Sequence, residues 1–203
     1  MSAEPAGLPY FDRLYSASTD PYGVAGRWYE IRKRSLLLAS LPRPRFRSAY
    51  EPGCGTGELT AALALRCERL LASDFSEPAL AIARVRMAAV PHVAVAHQVL
   101  PRDWPGRGAR FDLIVLSEVG YFLAADGMAE VAAAIGRTLD DDGTLVACDW
   151  RPPFRERALP TADVHAALDA IGLQRLASHD EDDFSLRVWS RDARSVAQRE
   201  GIR

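Results

Sequence analysis

The run FDLIVLS, from Phe111 to Ser117, constrains this chain more than any other stretch. An apolar segment of that length without period-two alternation reads as a strand buried on both faces. Such strands belong to parallel sheets covered by helices on either side. The surrounding sequence agrees with that reading. Strands are predicted over 48–52, 70–73, 92–97 and 144–148, alternating with helices near 57–66, 77–89 and 127–139. An earlier helix over 26–41 is ended by Pro42. A helix over 161–171 closes on Gly172, and 173–178 and 184–190 then alternate like a strand pair joined by the acidic loop HDEDD. The segment DDDG at 140–143 reads as a turn, and the polar tail after Asp192 reads as frayed. Alternating strands and helices imply an α/β fold with a mostly parallel sheet and an antiparallel edge.

Length and composition set the class. The chain of 203 residues is 48% hydrophobic and 26% charged, which suits one globular domain over 1–203. Within it, an aromatic and basic segment 1–45, expected as an N-terminal helical lid, precedes a cofactor-binding core over 46–150, a C-terminal helix and closing strand pair over 151–192 and a polar tail over 193–203. A net charge of −2 argues against a nucleic-acid or membrane-surface partner, and the short basic run PRPRFR does not change that. Lys33 is the one lysine beside two dozen arginines, a bias read as that of a GC-rich genome. Cys54, Cys67 and Cys148 have neither paired nor metal-like spacing and read as reduced thiols. The four histidines do not cluster with them, so no metal site is expected, and His165 reads as a surface or packing residue. The start of the chain lacks the pattern of a signal peptide, and a cytoplasmic protein is expected.

The chemistry centres on Glu51-Pro52-Gly53-Cys54-Gly55-Thr56-Gly57, which leaves a strand and enters a helix. Glycines there let backbone approach a ligand where a Cβ would collide. A dinucleotide loop usually spaces its glycines G-x-G-x-x-G to seat a pyrophosphate. Here the third glycine arrives one residue early, so a ligand without phosphates is expected and a nicotinamide enzyme is disfavoured. Asp74, at the end of the second strand, is placed to accept hydrogen bonds from both ribose hydroxyls. Phe75 can pack on an adenine face, and Ser76 reads as a helix N-cap.

These residues match the E/D-x-G-x-G-x-G pattern of the class I methyltransferases. More closely, the chain resembles the nodulation protein S family. The resemblance rests on DPYGVAGRWYEIRKR, YEPGCGTGELTAALALRCERL and FDLIVLSEVGYFL. It implies a Rossmann-like fold with seven strands, the last one antiparallel, and S-adenosylmethionine as cofactor. It also implies a small-molecule acceptor, with N-methylation of an amino sugar on a chitooligosaccharide. The cofactor residues expected on this basis are Trp28, Glu51, Gly53, Cys54, Gly55, Gly57, Asp74, Phe75, Ser76, Gln98, Val99 and Ser117. The acid that often follows the third strand and accepts from the adenine amine is absent. Gln98 or a backbone carbonyl stands in its place, and Asp103 comes several residues late.

An amine must be neutral to attack, so a nearby carboxylate is sought. Glu118, just past the fourth strand, is the first candidate base, with a cap or cofactor contact as the alternative. Asp149, at the end of the fifth strand, is the second, against a solvated loop residue; Tyr121 would border the acceptor pocket. Tyr22, Trp28 and Tyr29 could cover the cofactor, or Trp28 could pack with Ile31 and Leu38 as core. Arg32 and Lys33 could reach the cofactor carboxylate, but facing water is the preferred reading for basic residues on such a helix. An O-methyltransferase of a sugar or natural product, and a methyltransferase-like domain without catalysis, remain the alternatives.

Overall fold

The computed structural model describes residues 7–106 and 108–203. Its centre is one seven-stranded sheet. The strands are β1 (Ala49–Pro52), β2 (Leu70–Asp74), β3 (Val93–His97), β4 (Phe111–Ser117), β5 (Leu139–Trp150), β6 (Gln174–Asp180) and β7 (Phe184–Ser190). They lie in the order β3-β2-β1-β4-β5-β7-β6, with β7 antiparallel to both neighbours and the pairs from β3 to β5 parallel. The order reverses between β1 and β4. In an open parallel sheet, ligands bind at such a reversal, beyond the carboxyl ends of the strands.

Helices α1 (Leu8–Ala17), α2 (Trp28–Ser40), α3 (Glu58–Ala64), α4 (Glu77–Met87), α5 (Ala125–Thr138), α6 (Thr161–Asp169) and α7 (Val196–Arg199) surround the sheet. FDLIVLS is buried as its composition requires, and its side chains divide between two cores. Ile114 and Leu116 pack with Val131 and Ile135 of α5 and Val164 and Leu168 of α6. Leu113 and Val115 pack on the other face with Leu37 of α2 and Leu63 of α3. Each fully buried leucine or isoleucine contributes about 1.5–3 kcal/mol through removal from water. The polar residue of the run, Asp112, accepts hydrogen bonds from the Arg47 and Ser48 N–H groups and so ties the entry of β1 to β4.

Three local expectations are corrected. Residues 8–17 form a second helix within the N-terminal segment, where the sequence reading bounds only 26–41; Pro9 in its first turn presets the backbone angle a helix needs. DDDG is no free turn, because β5 runs through it. Leu139 pairs with Phe111 and Thr144 with Leu113, so 140–143 bulge out of the ladder, and Arg43 and Arg47 bind the Asp142 carboxylate at 2.8 and 3.0 Å. The tail is not frayed either. Ser195 and Gln198 form a reciprocal cap on α7, and Arg199 reaches back to Ser190 and the Asp192 carbonyl.

Candidate active site

The loops after β1 and β4 meet at the reversal point. Gly53, Gly55 and Gly57 all have left-handed backbone angles, with φ of 74°, 53° and 81°. A Cβ on Gly53 would lie 2.1 Å from Val119 Cγ2, and one on Gly57 3.3 Å from the Ala83 Cβ. The Gly53 and Cys54 N–H groups both donate to the Ser73 carbonyl, which fastens the loop to the end of β2. Cys54 is buried beside Ala72, Leu80 and Ala83, and burial raises its thiol well above the ordinary range.

Asp74 sits next to that loop. One carboxylate oxygen accepts from the Gly55 N–H and the other from the Ser76 N–H, each at 2.9 Å. Each oxygen has a further lone pair, so the group can still receive two hydroxyls. Burial raises its carboxyl pKa, and the backbone donors oppose that rise.

Several predicted cofactor residues have other partners. Ser76 does occupy the N-cap position of α4, but its hydroxyl donates to Asp12 of α1 at 2.7 Å instead of capping. Glu51 is buried and accepts from Thr60 at 2.7 Å, so it shapes the loop from beneath; burial pushes its pKa up to about 8. Gln98 uses its amide on Tyr50 and the Asp103 carbonyl, and the Val99 N–H donates to the Asp103 carboxylate. The Val99 N–H is thereby engaged, while the Gln98 amide keeps one N–H and one lone pair. The Ser117 hydroxyl donates to the Cys148 carbonyl across the sheet.

Helix α1 completes this side of the cleft. Phe11 packs edge-on against Phe75 and Phe122, and the Tyr15 hydroxyl lies 3.2 Å from where a Gly55 Cβ would stand. Trp28 is 73% exposed and belongs to neither core. Tyr29 packs instead on Trp150 and Phe184, and Tyr22 lies edge-on to Tyr15.

Beyond β4, Glu118 has a φ of 59°, a conformation that residues with a Cβ rarely adopt. Its carboxylate accepts from Lys33 at 2.5 Å, Tyr121 at 2.5 Å and the Trp150 N–H at 2.9 Å. Lys33 is thus no solvent-facing charge. Burial works against its ammonium, yet Glu118 and Glu30 outweigh that and hold its pKa above the ordinary value. Arg32 stays at the surface, where it forms a bidentate pair with Glu181 of the acidic loop. Asp149, the second candidate base, is fully buried in β5, which sets aside the alternative of a solvated loop residue. His165 of α6, read above as a bland residue, meets its Oδ2 at 2.9 Å and packs edge-on against Trp189. The Asp149–His165 and Lys33–Glu118 pairs are what the sequence reading missed. An unusual lone lysine was the one available signal.

Residues 49–143 match the family model described as a methyltransferase domain. A crystal structure from Pseudomonas syringae, of a protein assigned to the methyltransferases, is 47% identical. It superposes with a TM-score of 0.71, covering 81% of this chain and 99% of that one. The chain belongs to the class I S-adenosylmethionine-dependent methyltransferases. Within that family it resembles nodulation protein S of Rhizobium tropici, at 32% identity over 61% of this chain and 50% of the relative. The chain therefore spans about half the length of that curated relative. The N-methyltransferase NodS of Bradyrhizobium japonicum WM9, crystallised with S-adenosylhomocysteine, shares the fold with a TM-score of 0.81 at 23% identity, covering 90% and 97% of the two chains.

The cleft suits the family's cofactor. The glycine loop takes a path on which a Cβ would crowd Val119, Tyr15 or Ala83, and Asp74 retains acceptor capacity for a vicinal diol. S-adenosylmethionine supplies an electrophilic methyl group on a sulfonium. The chain's own residues have to orient the acceptor, exclude water and take up a proton. No described helix is long and apolar enough to cross a membrane.

Proposed function

We propose that this methyltransferase transfers a methyl group to the nitrogen of an amino sugar, with a chitooligosaccharide carrying a free amine as the leading acceptor. The observation that carries this reading is the similarity to nodulation protein S, together with two carboxylates at the ends of adjacent strands. Glu118 follows β4 and Asp149 lies near the end of β5. Carboxylates beside a nucleophile suit an amine that must shed a proton before or as it attacks.

In this reading Asp74 and the glycine loop hold the cofactor, while α1 and the aromatic residues Phe11, Tyr15 and Phe75 close over it. Glu118 fixes the acceptor side, since Lys33, Tyr121 and Trp150 hold its carboxylate in one place. Tyr121 packs against Phe122 and Phe154 and forms the apolar border of that side. The test is transfer of a deuterated methyl group from labelled S-adenosylmethionine to a chitooligosaccharide with one free amine, read by mass spectrometry. The fully N-acetylated oligosaccharide serves as the control. Label on the free-amine compound alone supports the proposal. Label on both indicates a hydroxyl acceptor, and label on neither points to another acceptor or to a binding domain without catalysis.

A further inference from the structure

We propose that Asp149, positioned by His165, is the proton acceptor for the methyl acceptor, and that Glu118 is a structural anchor. The proposal rests on the amine reading above and assigns the base within that same site.

The two carboxylates differ in what already occupies them. Glu118 presents its oxygens to an ammonium, a phenol and a backbone N–H, the ammonium being the salt-bridged Lys33. Oε2 thus carries two donors and Oε1 a third, so little of the group is left to meet an acceptor. Asp149 is the reverse case. Its Oδ2 accepts from His165, while Oδ1 is buried with no hydrogen-bond partner among the described residues. A fully buried carboxylate oxygen left without a donor calls for one, and native structures rarely leave such an atom unmatched. An amine or hydroxyl of the acceptor is the donor this family's chemistry brings to the end of β5.

The surroundings favour the same assignment. The Glu118 N–H donates to the Cys148 carbonyl, so Asp149 stands beside Glu118 across the β4–β5 pair. The groups acting on Asp149 are His165 from α6, Glu118 after β4 and Lys33 from α2, with Tyr121 and the Cys148 thiol close by. Burial lifts the Asp149 carboxyl above its usual range, and the His165 bond opposes the lift without abolishing it. A base with raised proton affinity is better matched to an amine near neutral pH.

The step balances simply. The acceptor nitrogen's lone pair forms the new N–C bond as the carbon–sulfur bond breaks, its electrons remaining on sulfur. The proton that nitrogen loses passes to Asp149 Oδ1 and reaches solvent as product leaves. His165, whose Nε2–H holds Oδ2, is a positioning residue and touches no reacting atom.

The experiment compares D149N, H165A, H165Q and E118Q in the full chain. Methyl transfer to glucosamine and to a free-amine chitooligosaccharide is followed from pH 6 to 9, with S-adenosylhomocysteine affinity measured by calorimetry. D149N should lower kcat at least about 100-fold and lose Asp149's share of the acid limb, leaving only the protonation of the acceptor amine itself, with affinity for S-adenosylhomocysteine unchanged. H165A should displace that limb, and H165Q, which keeps a donor, should restore it in part. A second readout needs no turnover. Glucosamine added to the S-adenosylhomocysteine complex should shift the His165 ring-nitrogen NMR signals in the wild type and not in D149N.

A D149N enzyme with the wild-type rate and pH profile overturns the proposal. So does a parallel fall of rate, cofactor affinity and melting temperature in D149N and H165Q, which would mark a packing role. Transfer to hydroxyl acceptors alone, lost in D149N, retires the amine reading and leaves the base assignment standing. No transfer to amine or hydroxyl acceptors overturns both.

Discussion

Replacing Gly53 with alanine isolates the geometry on which the cofactor loop depends. Two costs can be worked out from the structure. The left-handed φ of 74° costs a residue with a Cβ about 1–2 kcal/mol. The new methyl would also lie 2.1 Å from Val119 Cγ2, an overlap of the kind that costs about 1–3 kcal/mol when a packed site is overfilled. Together these predict a loss of about 2–5 kcal/mol, or a fall in melting temperature of roughly 5–15 °C for a chain of this size. S-adenosylhomocysteine affinity should fall as well, because the loop is displaced where ligand and backbone meet. Val119→Ala in the same chain removes the offending Cγ2, so the double variant should recover the steric part and keep the backbone part. Thermal unfolding of the four proteins, with calorimetric titration of each, measures both. Strict additivity of the two substitutions would refute the steric argument. An unchanged melting point and affinity in Gly53→Ala would refute the loop geometry itself.

Three other perturbations bear on the same site. Asp74→Asn should weaken S-adenosylhomocysteine binding about 5–100-fold, the equivalent of one or two weakened hydrogen bonds, and titration with unchanged affinity would remove Asp74 from the ribose role. Lys33→Met leaves Glu118 without its cation; the pair is part-buried, so a loss of about 1–3 kcal/mol in denaturant unfolding is expected, and no loss would show the pair to be incidental. Glu51 has a pKa of about 8 when folded and near 4.5 when unfolded, so the native state binds the extra proton between those values. Its contribution to stability must therefore fall as pH rises from about 4.5 to 8, and Glu51→Gln should flatten that slope in unfolding midpoints. A slope that survives the substitution belongs to other groups.

What was legible in the sequence was local. FDLIVLS announced a doubly covered strand because its burial is written in seven consecutive residues. The glycine loop and Asp74 were legible because the loop spans only a few residues and Asp74 closes the next strand. The functional pairings were another matter, since they join elements that the chain brings together only after crossing the sheet. Ser76 and Asp12 are 64 positions apart, Lys33 and Glu118 are 85 apart, and His165 meets Asp149 across 16. Nothing in the local pattern of α2 separated a solvated lysine from one buried against Glu118. The same limit explains Gln98. Its type and place suited an adenine acceptor, but the bonds its amide makes to Tyr50 and Asp103 could not be read from the local pattern. Helix α1 could have been read from Pro9 and the spacing of Phe11 and Tyr15, which places them along one side of a helix.

The central claim is that the glycine cleft between β1 and β4 binds S-adenosylmethionine, and calorimetric titration tests it most directly. S-adenosylhomocysteine should bind the full chain with micromolar affinity, and NAD, run as the control, should give no heat of binding. Binding of NAD, or of neither compound, would contradict the account.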